Sequence, residues 1–390
     1  MGALGAAEAS EPAGGDLLKR RARVRRGWLR RPLAATVIAI VVTAAVTLHP
    51  PLGDGGVYAA RAATPALIGF SFSPRAAAYL GEDPATALLS LMNQLAPDLV
   101  RLPVYWDSVE SKRGSFDFTE TDDLIKVVDT YNLSRGARPA RVLLIVGMRN
   151  MGYPELYVPS WVPADEREPA SRMASDPEYT RYLRASFRHY HRNPTVSTWQ
   201  IENEPLDKVP TVAGSDVSIS GDVLQDELEL LRSIDSRPAV ITSYTSATLS
   251  LDLLGLAPSS APRPPGAPLP AGHPLEALQT GDILGLDLYV VTGDTSLSDA
   301  SATKRIGWKR ASFPFWFGQA TAAGKPLWIT EMQGAPWPGL DNFTTSDLLF
   351  SANAYRHRGA SVILLWGVEQ WLLSPQWMQA GKQARLAMTG

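Results

Sequence analysis

Residues 196–205 read Val-Ser-Thr-Trp-Gln-Ile-Glu-Asn-Glu-Pro, a short apolar run that closes on two carboxylates and a proline. A continuous apolar run of this length suits a buried strand of a parallel sheet. Seven further runs of the same kind flank it, at 67–72, 98–104, 141–148, 238–244, 282–289, 326–331 and 361–366. Between them lie helix-like stretches at 83–95, 119–131, 176–191, 221–236, 245–254, 312–323 and 344–358. Asp83-Pro84 and Asp176-Pro177 read as an N-cap followed by proline in the first turn, and Gly324 and Gly359 as helix ends. Eight alternations of strand and helix over about 320 residues are the length and rhythm of an α/β chain folded as a (β/α)₈ barrel. The runner-up is a doubly wound open sheet. It normally carries a glycine-rich turn after its first strand, where this chain has Ser71-Phe72-Ser73-Pro74.

The stretch before residue 67 is of a different character. Residues 1–32 form a tail with eight basic residues between Lys19 and Arg31 and no acid among them. Residues 33–48 then carry no charge, and with His49 they form a segment directed at a membrane, either a transmembrane helix or the apolar core of a signal peptide. The positive-inside rule leaves the basic tail cytoplasmic and exports the chain beyond His49, so a retained anchor is the favoured expectation and secretion after cleavage the alternative. Residues 50–66 read as a linker, and 67–390 as the folded domain.

Composition narrows the chemistry. The chain has no cysteine, which removes disulfides, thiolate metal sites and cysteine nucleophiles. Its five histidines form no zinc-binding pattern, and no phosphate-binding glycine loop or serine nucleophile elbow is present. A net charge of −2 offers no basic field for nucleic acid. No metal and no cofactor is expected, so chemistry falls to carboxylates. In a barrel these matter at the C-terminal ends of the strands. Run four ends in Glu202-Asn203-Glu204 and run seven in Thr330-Glu331, facing one another across the mouth. Such a pair suits glycoside cleavage. Glu202 and Asn203, as strand neighbours, point to opposite sides, so Glu202 reads as structural.

These residues carry a resemblance. Asn203-Glu204-Pro205 after strand four with a glutamate ending strand seven resembles the clan A glycoside hydrolases, the cellulase-like retaining enzymes built on a (β/α)₈ barrel. The likeness extends to Val100-Arg101-Leu102-Pro103 with Trp106, to Gly114-Ser115-Phe116-Asp117-Phe118, to Asp287-Leu288-Tyr289 and to Leu365-Trp366, and covers roughly residues 67 to 380. It implies Glu204 as general acid and base, Glu331 as nucleophile and Asn203 as donor to the sugar 2-hydroxyl. It also implies Arg101 and Tyr289 as hydrogen-bond donors to the nucleophile, with Trp366 as the platform under the sugar. Many members carry histidines at strand ends, and none of the five here falls near a strand mouth.

Aromatic residues crowd the loops expected at the mouth: Tyr105, Trp106, Tyr153, Tyr157, Trp161, Trp337, Trp371 and Trp377. Sugar rings stack on aromatic faces, so Trp106 and Trp337 are expected to touch a carbohydrate substrate. Three functions fit to different degrees: a retaining hydrolase or a transglycosylase using the same residues, a non-catalytic carbohydrate-binding or assembly protein on a decayed barrel, and a barrel enzyme of other chemistry.

Overall fold

The computed structural model describes residues 65–152, 155–163, 175–207, 209–210, 216–244, 274–289, 313, 316–336, 343–356 and 358–389. The tail, the segment 33–49, the linker through residue 64 and the helix expected at 245–254 lie outside them, as do Tyr153 and Trp337. Among the described residues no helix is long and apolar enough to cross a membrane.

All eight apolar runs are strands: β1 (Leu67–Ser71), β2 (Leu99–Tyr105), β3 (Arg141–Gly147), β4 (Val196–Ile201), β5 (Ala239–Tyr244), β6 (Ile283–Leu288), β7 (Leu327–Gln333) and β8 (Val362–Trp366). They pair in parallel in the order β1-β8-β7-β6-β5-β4-β3-β2 and close into a barrel. Each strand is followed by a helix: α1 (Pro84–Leu95), α2 (Thr119–Asn132), α3 (Pro177–Tyr190), α4 (Gly221–Arg232), α5 (Pro274–Thr280), α6 (316–322), α7 (Thr345–Tyr355) and α8 (Pro375–Thr389).

Helices α1 and α3 start where their sequences place caps. Asp83 accepts a hydrogen bond from the Thr86 N–H at 2.9 Å, with Pro84 in the first turn, and Asp176 does the same for the Glu178 N–H at 2.7 Å. The buried face of α1 is Ala87, Leu88, Leu91, Met92 and Leu95, the helical spacing of an amphipathic stripe. Such stripes pack on the outward side chains of the barrel, among them Val100, Leu102 and Val104 of β2, Val142, Leu144 and Val146 of β3, and Leu284, Leu286 and Leu288 of β6. This layer between sheet and helices is the main core.

The inward side chains divide by height. At the N-terminal end Leu99, Leu143, Val240, Ile283, Trp328, Val362 and Leu364 form a separate apolar plug. Further along the same strands the inward positions turn polar: Arg101, Thr242 and Thr330 two residues on and Asp287 four residues on, joined by Gln200 of β4, all buried. Gly285 makes room between the layers, since a Cβ there would sit 2.8 Å from both the Thr330 hydroxyl and the Thr242 methyl.

Candidate active site

The polar layer is organised by Arg101, a fully buried guanidinium on β2. It donates from Nη1 to Glu331 Oε1 at 2.5 Å and to Ser71 Oγ at 3.2 Å, from Nη2 to Asn203 Oδ1 at 2.6 Å, and from Nε to Gln200 Oε1 at 2.8 Å. A buried arginine with four acceptors fixes the relative position of β1, β2, β4 and β7 at one point. The other oxygen of Glu331 accepts a hydrogen bond from the Tyr289 hydroxyl. Tyr289 in turn meets Trp366 edge to face at 5.7 Å between ring centres. Trp366 ends β8 half-buried, so part of its ring faces the opening.

Glu331 reaches this position through an irregularity. Inward Trp328 and Thr330 set the alternation of β7, which would turn Glu331 outward with Ile329. The pairing of β7 with β6 shifts between Leu286 and Asp287, so that Glu331 comes opposite Asp287, and the pairing with β8 shifts at the same height. A bulge of this kind re-aims a side chain beside a site.

Beyond β4 the chain turns sharply. Glu202 and Glu204 have φ of 60° and 45°, the left-handed region that costs non-glycine residues on the order of 1 kcal/mol or more. The Glu204 N–H donates to Thr242 Oγ1 at 2.8 Å. Glu202 turns out of the site. Its oxygens accept from the Tyr179 hydroxyl at 2.5 Å, the Met148 N–H at 3.1 Å and the Arg149 N–H at 2.6 Å. Gly147 leaves room for that carboxyl, because a Cβ there would lie 2.3 Å from Glu202 Cδ. Burial pushes the Glu202 carboxyl up to about 7.

One carboxylate oxygen from each of Glu204, Asp287 and Glu331 falls within 4.8 Å of the others, all three residues being buried. Burial raises the Glu204 carboxyl well above the usual range, helped by the nearby carboxylates of Asp287, Glu155, Asp207 and Glu331. Burial likewise raises Asp287, followed by repulsion from Glu331. Asp287 accepts from the Thr330 hydroxyl at 2.6 Å. Crowding carboxylates this closely disfavours charging all of them at once.

Of the residues singled out in the sequence, Arg101, Asn203, Glu204, Tyr289, Glu331 and Trp366 converge here. Trp106 does not. It follows inward-facing Tyr105 and so points to the outer side of the barrel, buried against Trp161, Tyr179 and Tyr182, with its indole N–H donating to Glu110 Oε2 at 2.9 Å. Its expected contact with sugar is therefore corrected to core packing. Tyr105, Tyr157 and Trp371 are also buried, and the Trp371 N–H donates to the Gly334 carbonyl at 2.9 Å. Trp377, half-buried, stacks on Phe343. Most of the expected rim thus holds loops together.

Sequence reasoning missed Asp287 as a member of the carboxylate group, and missed Gln200, Ser71 and Thr242. For Asp287 a signal existed: it lies two residues before Tyr289, which directly follows the same strand, and the two turn to the same side. Ser71, Gln200 and Thr242 carry no such mark, being ordinary residues until the barrel brings them to Arg101 and Glu204.

No protein-family model matches the chain, and no curated protein sequence does. Its fold is shared by many solved structures. A GH5_18 protein from Bifidobacterium longum subsp. longum superposes with a TM-score of 0.59 at 15% identity over 84% of this chain and 80% of that one. A GH5_18 protein from Streptomyces cattleya, solved with GlcNAc, gives 0.56 at 15% identity over 84% and 80%. The Bifidobacterium longum subsp. longum protein in complex with Manβ1-4GlcNAc gives 0.58 at 16% identity over 82% and 78%. The chain therefore shares the closed (β/α)₈ barrel fold of these GH5_18 structures.

Proposed function

We propose that the protein is a retaining glycoside hydrolase that cleaves an O-glycosidic bond by double displacement. The observation that carries this reading is the separation of Glu204 and Glu331, whose nearest carboxylate oxygens lie within 4.8 Å. Retaining enzymes hold the pair about 5–5.5 Å apart, whereas inverting enzymes leave about 6.5–9.5 Å for a water. The protonation pattern points the same way. Glu204, raised by burial and by neighbouring carboxylates, carries a proton to give; Glu331, held by Arg101 and Tyr289, presents an oxygen fixed in direction.

In the first step Glu331 attacks the anomeric carbon, forming a glycosyl ester, while Glu204 protonates the departing glycosidic oxygen. In the second, Glu204, now a carboxylate, takes a proton from water. That water attacks the same carbon and releases Glu331. Asn203 has its side-chain oxygen engaged by Arg101 and by Gln200 Nε2 at 3.3 Å, which turns its amide N–H₂ toward a sugar hydroxyl. Trp366 offers an apolar face beside the site.

We also propose that the barrel works outside the cytoplasm on a polysaccharide or glycoconjugate, held at the membrane by residues 33–49. Support comes from the basic tail ahead of an uncharged apolar segment. Membrane fractionation of the tagged full chain tests this: a membrane-bound barrel accessible to external protease is expected, and a soluble form starting after residue 49 contradicts a retained anchor.

The activity is tested with a panel of aryl β-mannosides, β-galactosides and β-glucosides and with polysaccharides, reading the first-formed anomer by NMR. Turnover with retained configuration is expected. Binding of oligosaccharides without turnover on any member would favour a carbohydrate-binding protein instead.

A further inference from the structure

Glu204 sits on a strained turn, and a single buried side chain holds that turn from outside the site. Arg149 follows β3 and is 1% exposed. Its Nη1 donates to the Glu204 carbonyl at 2.5 Å and to the Asp207 carbonyl at 2.7 Å, with a longer contact to the Pro205 carbonyl at 3.4 Å. Its backbone is tied to the same turn: the Arg149 N–H donates to Glu202 Oε2, and the Arg149 carbonyl accepts the Asn203 N–H at 3.1 Å. Its carboxylate partner is Glu155, at 3.4 Å from Nη2. A guanidinium in this place bridges several carbonyls at fixed angles, which a lysine ammonium on a flexible stem cannot reproduce.

We propose that Arg149 is a positioning residue for the acid/base: by gripping the carbonyls of Glu204 and Asp207 it keeps Glu204 in its left-handed conformation and its carboxyl within reach of Glu331. Arg149 touches neither Glu331 nor Arg101 through any of these contacts; its side chain reaches the site through the Glu204 carbonyl and, by charge, through Glu155, which acts on Glu204 and Glu331. The proposal rests on the assignment of Glu204 as proton donor. Its kinetic signature is a selective one. A poor leaving group needs Glu204 in place, whereas a good one departs without protonation.

The test compares phenyl and 2,4-dinitrophenyl β-glycosides in wild type, Arg149→Lys and Arg149→Met, with thermal melts to confirm folding and a crystal structure of Arg149→Lys. If Arg149→Met does not fold, the lysine variant decides. For the phenyl glycoside kcat/KM should fall about 10²-fold, the cost of displacing a catalytic group by about 1 Å. For the dinitrophenyl glycoside the fall should stay within about threefold, since protonation is not needed there. In the crystal structure Glu204 should leave its φ of 45° and its carboxyl should move beyond 4.8 Å from Glu331. Equal losses on both substrates, or an unmoved Glu204, would overturn the proposal. If the wild type turns over no aryl glycoside, the hydrolase reading fails, while the position of Glu204 in the lysine variant still decides the role of Arg149.

Discussion

The two ends of the barrel interior are built from the same strands and differ in almost everything else. At the N-terminal end Leu99, Val240, Ile283, Trp328 and Leu364 exclude water and carry no charge. Further along, Arg101, Thr242, Asp287, Thr330 and, beyond β8's Leu364, Trp366 make or frame a polar site. The lower layer gains from burial of apolar area alone. The upper layer places a buried cation, three close carboxylates and several hydroxyls where each must be satisfied by another. The comparison teaches that this barrel separates stability from chemistry by height, and that the apolar plug is the floor on which the costly upper layer rests.

Substitutions should respect that division. The largest effect is expected in the upper layer: Glu331→Gln removes the proposed nucleophile and should lower kcat of the folded protein by at least about 10⁴-fold, and it should also lower the melting temperature because the buried Arg101 loses its charged partner. Glu204→Ala comes next, with a loss of about 10²–10⁴-fold on substrates with poor leaving groups. An activated aryl glycoside should still form the ester in that variant, and azide should release it as a glycosyl azide of retained configuration. Equal loss on both substrate types, with no azide product, would break the assignment of separate duties to the two glutamates.

The lower layer should answer in the opposite way. Leu364→Ala opens a cavity in the plug and should cost about 2–5 kcal/mol of stability by chemical denaturation. The surviving folded fraction should keep near wild-type kcat. A variant that loses activity per folded molecule as steeply as stability would show that the two layers are not separable.

A smaller effect concerns a carboxyl above the mouth. Glu369 is buried in the turn after β8, where it accepts the Ser73 N–H at 2.5 Å, and burial pushes it up to about 7 from 4.5. The folded state therefore holds this proton more tightly than the unfolded chain. Its contribution to stability is full below about pH 4.5, declines as pH rises toward about 7, and is lost above that. Glu369→Gln should flatten this part of the stability profile, changing its melting-temperature span by about 2–4 °C. An unchanged slope would mean that Glu369 is already ionised in the fold.

The barrel is legible in the sequence because each strand is a short apolar run and each of α1, α2, α3 and α4 follows an N-terminal signal or amphipathic stripe. Strand four and its Asn203-Glu204-Pro205 turn are readable as a site because a second glutamate, Glu331, closes another strand at the same end of the barrel. Three features are hidden for physical reasons. Trp106 misleads because a loop aromatic has no periodicity to show its direction, and the single step from Tyr105 turns it into the core. The inward aim of Glu331 depends on a bulge set by pairing with β6 and β8, which local alternation along β7 contradicts. Arg149 is invisible for a similar reason. Its partners are main-chain carbonyls 55 and 58 residues away, which carry no sequence signature.

The central claim is that the upper layer performs a double displacement with Glu331 as the attacking group. It is tested most directly by incubating the protein with a 2-deoxy-2-fluoro-β-glycoside bearing a dinitrophenyl leaving group and mapping the adduct by peptide mass spectrometry. The account predicts one fluoroglycosyl ester, on Glu331, absent from Glu331→Gln. An ester on Asp287 or Glu204, or turnover of an accepted substrate with inverted configuration and no adduct, would contradict it.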